Sequence, residues 1–103
     1  MDLTVFWTDT ALERLEDIFD YYKNKASEKV AKELVKKIVD KTILLETHPK
    51  IGQVEELLID RKYEYRYLVE GNYKIIYWVE APIVNIATVF DCRQNPVKMK
   101  EVN

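Results

Sequence analysis

The chain is poor in the residues that staple small domains or arm many hydrolases. Its 103 residues include one cysteine, Cys92, and one histidine, His48. A single thiol cannot close an internal disulfide, and one thiol with one imidazole falls short of the four ligands of a structural zinc site. No metal and no cofactor is therefore expected. Two glycines and three prolines argue against a long-looped architecture, and there is no internal repeat or low-complexity run. No apolar stretch approaches the roughly 20 residues that span a bilayer. The start, MDLTVFWTD, lacks the basic end and apolar run of a secretory signal. A basic surplus is missing too, since the net charge is -2 and the pI about 5.5. Proteins that grip phosphate backbone usually carry such a surplus, so a nucleic-acid role would need a local patch. These absences lead to the expectation of a soluble, cytoplasmic protein with no membrane partner.

What is present suits one globular domain over residues 1–103, with 48% hydrophobic and 33% charged residues. Leu3, Val5 and Trp7 alternate with more polar neighbours and suggest a short first strand. Thr8 or Thr10 can cap a helix whose apolar residues Ala11, Leu15, Ile18 and Tyr22 recur at helical spacing. The pattern breaks near Asn24-Lys25-Ala26, and Ser27 can cap a second helix. There Val30/Ala31, Leu34/Val35, Ile38/Val39 and Thr42/Leu45 form an apolar stripe, and His48-Pro49 ends it. After the connecting stretch KIGQVEELLIDRK, strands are expected over residues 64–69, 73–79 and 83–90, with Ala81-Pro82 as the second turn. The expected class is α+β. The N-terminal strand and a helical hairpin pack on one face of an antiparallel meander, and its other face is open.

The hairpin YRYLVEGNYKIIYWV carries a cation inside each arm, Arg66 and Lys74. A two-residue Gly71-Asn72 turn would set Arg66 on the face of Tyr77, mixing charge with apolar surface. A three-residue Glu70-Gly71-Asn72 loop pairs Arg66 with Ile76 and Leu68 with Lys74, and it keeps both cations on the open face. The hydrophobic pattern favours the three-residue loop. In the last strand Val84, Ile86, Thr88 and Phe90 are expected to be buried. Arg93 then leaves the strand on the side of Arg66 and Lys74, with Trp78 among them as an aromatic surface. Arg66, Lys74, Trp78 and Arg93 are the candidate binding residues. Against this stands a plainer account, in which cations on an exposed sheet face serve solubility and pair with Glu64 and Asp91. His48 reads as a helix-capping or surface residue, Cys92 as a small buried one, and Tyr21 and Tyr22 as core and rim.

Several motifs, in order, resemble the RelE/ParE superfamily of bacterial toxins. W-T-x-x-A opens the first helix and DYY closes it. HPKIGQVEEL follows the second helix, then YRYLVEGNYKIIY, then VFDCRQNPVKM at the exit of the last strand. The resemblance covers nearly the whole chain. It implies the toxin of a type II toxin–antitoxin pair, neutralised by a cognate antitoxin. RelE-like members cut mRNA on the ribosome with basic residues of the open sheet face; ParE-like members inhibit DNA gyrase. In the RelE-like case Arg66, Lys74 and Arg93 would be the catalytic cations. Lys74 replaces the commoner arginine and loses its bidentate fork. The C-terminal tyrosine or histidine of the nuclease members is missing, and Met99 near that position cannot transfer a proton. Together with the acidic charge, these departures favour the ParE-like branch. Its partners would be an antitoxin and gyrase; the alternatives are the ribosome and mRNA, or a degenerate member that only binds antitoxin. The open sheet face, the helical hairpin or the tail from Asn95 to Asn103 could each receive the antitoxin.

Overall fold

A computed structural model describes residues 2–101 of the chain. The first strand, β1 (Thr4–Trp7), leads into helix α1 (Asp9–Lys25), and helix α2 (Glu28–Ile43) folds back against it. Thr8 caps α1 by accepting the Ala11 amide at 3.2 Å. Ser27 caps α2 by accepting the Val30 amide at 3.1 Å. Each cap satisfies an amide that the first helical turn would otherwise leave unpaired. A two-residue strand, β2 (Gln53–Val54), and a 3-10 turn over Glu56–Leu58 follow. The meander comprises β3 (Arg66–Glu70), β4 (Tyr73–Glu80) and β5 (Ile83–Asp91), and a further 3-10 segment spans Pro96–Glu101; a short one, Leu44–Glu46, follows α2. The sheet order is β1-β5-β4-β3-β2. β1 pairs parallel to β5, and the remaining pairs are antiparallel. The expected α+β class and helical hairpin are observed, and β1 joins the sheet. The sequence reading missed β2.

Two features depart from expectation. The β3–β4 register sets Arg66 opposite Tyr77 and Val69 opposite Lys74, so the turn is the two-residue Gly71-Asn72 connection. Gly71 has φ +58°, a left-handed conformation that glycine adopts without Cβ strain. Arg66 therefore lies on the helix-side face and Lys74 on the opposite one. Ala87 is an extra residue in β5: Ile76 pairs with Thr88 but Tyr77 with Ile86. This bulge reverses the inside–outside alternation of the strand. Val84 and Ile86 face the helices as expected, whereas beyond the bulge Val89 does so instead of Thr88 and Phe90.

Neither face is left open as expected, and two apolar clusters result. Ala11, Ile18, Ile38 and Leu45 pack on Leu68, Tyr73, Ile75, Tyr77, Val84, Ile86 and Val89. On the other face Leu58 and Met99, from the 3-10 segments Glu56–Leu58 and Pro96–Glu101, cover Ile76, Ala87 and Phe90 together with Tyr65. Double coverage explains why ATVF in β5 is buried without a break.

Candidate functional site

The three cations singled out in the sequence occupy three different settings. Arg66, at the start of β3, reaches over the loop before β2. Its Nη1 donates to the carbonyls of Gly52 at 2.8 Å and Lys50 at 3.2 Å. Its Nε and Nη2 meet Glu64 Oε1 at 3.0 and 2.9 Å. Gly52 is held from the other side as well, for its amide donates to the Tyr77 hydroxyl at 3.0 Å. A Cβ on Gly52 would lie 2.6 Å from that hydroxyl and 2.7 Å from the Tyr67 carbonyl, so only glycine fits. Burial pushes the Tyr77 hydroxyl pKa up, while the Gly52 amide and the Arg66 charge oppose the shift. Arg66 thus clamps a loop.

Lys74 projects from the opposite face. Its ammonium meets Glu55 Oε2 at 2.8 Å and sits 4.1 Å from the centre of the Tyr67 ring. The Glu55 side chain is only 4% exposed, and its other oxygen accepts the Leu57 amide at 3.2 Å. A buried carboxylate needs such a partner, because an uncompensated charge in the interior is costly. Trp78 lies on the same face as Lys74. It stacks on Tyr63 with ring centres 5.0 Å apart at 16° and meets Tyr65 edge-on at 5.7 Å. Its Nε1 donates to Glu80 at 2.8 Å. Lys74 and Trp78 thus share the face away from the helices, whereas Arg66 lies on the helix side.

Arg93 follows the end of β5 and turns toward α1. It grips Asp91 in a two-pronged pair, with Nε to Oδ1 at 3.0 Å and Nη2 to Oδ2 at 2.8 Å. The Arg93 hydrogen bonds hold the Asp91 carboxyl below its ordinary value, outweighing the effect of burial. Asp91 and the Tyr22 hydroxyl in turn push the guanidinium pKa up. Tyr73 has a raised hydroxyl pKa, first through burial and then through its hydrogen bond with Tyr22. Tyr22 of α1 thus neighbours both Tyr73 and the Arg93–Asp91 pair at the end of the sheet. Beside it runs an open groove of about 800 Å³, edged by Arg14, Asp17, Tyr21, Arg93 and Lys98.

The expected common face of Arg66, Lys74 and Arg93 is therefore not formed. Arg66 stands opposite Tyr77, and Asp91 stands opposite Tyr73. Those rows are four positions apart along β4, roughly 13 Å at the rise of a strand. The pairs with Glu64 and Asp91, expected on the plainer account, are both present. Glu55 was missed, although EEL beside a strand bearing a lone lysine was a usable signal. Met99 is buried and packs in the second cluster. Cys92 is exposed, contrary to expectation, because the chain turns outward there. His48 is exposed as expected, with Nδ1 at 2.8 Å from the Thr47 hydroxyl. Among the described residues no group of three or more His, Cys, Asp or Glu side chains is placed to hold a metal ion, and no helix is long and apolar enough to cross a membrane.

The class defined by this architecture is a small α+β domain of two helices on a five-stranded mixed sheet, with Arg66, Lys74 and Arg93 each tied into a local ion pair. Comparison with known families narrows that class. Residues 5–96 match the family described as the ParE toxin of type II toxin-antitoxin system, parDE. The chain belongs to that family, and it is a toxin of the type II class. Among solved structures it resembles one titled "Chromosomal ParDE TA system from P. aeruginosa", at a TM-score of 0.73 and 19% identity. The match covers 86% of this chain and 95% of the other, and at that identity the likeness is one of fold. A comparison with curated proteins found no match.

Proposed function

We propose that the chain acts without catalysis, by binding DNA gyrase as a protein target, and that a cognate antitoxin neutralises it. The observation that carries this reading is the dispersal of the three cations. A nuclease acting on an RNA phosphate needs several positive groups within reach of one phosphorane and a group that moves a proton. Here Arg66 clamps backbone carbonyls, Lys74 neutralises Glu55 on the other face, and Arg93 is paired with Asp91. Met99 is packed away where a proton-transfer group would be needed. The net charge of -2 also fits a protein target better than a ribosomal RNA surface. Family membership and the fold shared with a ParDE system support an antitoxin partner. In this reading Trp78, Lys74, Arg66 and Arg93 shape the surface offered to partners.

Primer extension on an mRNA translated in a purified system tests the absence of catalysis. The expected result is intact mRNA at protein concentrations that arrest growth in cells. Codon-positioned cuts that vanish in Arg93→Ala would move the assignment to ribosome-dependent mRNA cleavage.

A further inference from the structure

The outer edge of β1 offers a row of backbone groups to a partner. The amides of Thr4 and Thr8 donate inward to the carbonyls of Pro82 and Ile86, at 2.9 and 3.2 Å. Alternate residues of a parallel ladder bond to the same neighbour, so Val5 and Trp7 turn their N–H and C=O groups to the open side. Leu3 faces outward too, but its amide is taken by the Glu46 carbonyl at 2.9 Å. The opposite edge strand, β2, is only two residues long. An unpaired strand edge is a template for another strand.

Two further observations say what kind of strand fits. Phe6 is 54% exposed, in register with Asn85 and through it with Trp78. An aromatic side chain in mid-strand with no cover provides apolar area for an incoming side chain. The surroundings are acidic: residues 2–13 and 79–92 contain no lysine or arginine. Asp2, Asp9 and Glu80 stand exposed around the strand.

We propose that an extended segment of a partner protein joins the sheet along β1 as a sixth strand. It places an apolar or aromatic residue beside Phe6 and a basic residue near Asp2 or Asp9. The inference rests on the reading that the chain has a cognate antitoxin, which would supply the segment. A second copy of this chain fits worse. Antiparallel registers that pair the free groups of Val5 and Trp7 bring Asp2 of one copy within a residue of Asp9 of the other, so like charges meet.

Amide hydrogen exchange measured by NMR, on the free protein and on its complex with the product of the neighbouring reading frame, tests the proposal. In the free protein Val5 and Trp7 should exchange quickly while Phe6 and Thr8 are protected. In the complex, exchange at Val5 and Trp7 should slow at least tenfold. Phe6→Lys and Asp2→Lys should each weaken the complex about tenfold or more. Val69→Lys, at another exposed apolar site on the same face, should leave it unchanged. A complex in which Val5 and Trp7 still exchange quickly would overturn the β1 assignment and leave the antitoxin reading standing. Failure of any complex to form, with both proteins folded, would remove that reading and the inference with it. Protection already present in a dimer of the free chain would assign the edge to self-association and overturn the proposal.

Discussion

Lys74 stands near the start of β4, where Glu55 gives it a carboxylate that water scarcely reaches. Removing one partner of such a pair costs more than removing both, since the survivor is left charged and buried. Lys74→Met is expected to lower unfolding stability by about 3 kcal/mol, and the Glu55→Leu/Lys74→Met double variant by less. Chemical denaturation of the four proteins of that cycle checks the sign and size of the coupling. Asp91 gives a pH dependence. Its folded pKa lies below the ordinary value of 3.8, chiefly through the Arg93 hydrogen bonds. A lowered acid pKa contributes stability above the unfolded value and loses it as pH falls through the folded one. The stability difference between the protein and Asp91→Asn should therefore be full at neutral pH and shrink below about pH 4. Thermal melts of both proteins from pH 7 to pH 2.5 would show it, and a difference that grew on acidification would contradict the pairing.

At the scale of elements, most of the fold was legible in the sequence. The two helices follow from apolar residues at helical spacing, with Thr8 and Ser27 as their caps. The three meander strands follow from aromatic and β-branched runs separated by turn residues. What was not legible was how the strands face. The three-residue turn was inferred to keep Arg66 off the apolar face, but burying part of a cation is tolerable when carbonyls and a carboxylate surround it. The carbonyls of Lys50 and Gly52, with Glu64, provide that setting, and a strand pattern alone does not show them. The bulge at Ala87 has no local sequence marker, yet it exchanges the faces of every residue after it. The second apolar layer was hidden for another reason. Its cover comes from Leu58, inside the three-residue run Leu57-Leu58-Ile59, and from Met99, in segments with no strand or helix period. Met99→Ala should cost roughly 2–5 kcal/mol, as for other buried large-to-small changes. Calorimetry would check it; a loss below 0.5 kcal/mol, the range of ordinary surface changes, would show that the C-terminal segment does not seal this layer.

At the scale of the whole molecule, the dispersal of Arg66, Lys74 and Arg93 follows from the turn and the bulge together. The two-residue turn places Arg66 and Lys74 on opposite faces, and the bulge sends Asp91, with Arg93 after it, toward α1. The candidate residues were legible as residues, but their grouping was not, because grouping depends on register. A toxin built this way presents surfaces: the groove beside α1, the aromatic set of Trp78 and Tyr63, and the free edge of β1. The most direct test of the central claim is supercoiling of relaxed plasmid by purified gyrase, with folded toxin freed of antitoxin. Inhibition should rise with toxin concentration and be reversed by the cognate antitoxin. Full supercoiling at a large molar excess of folded toxin would contradict it.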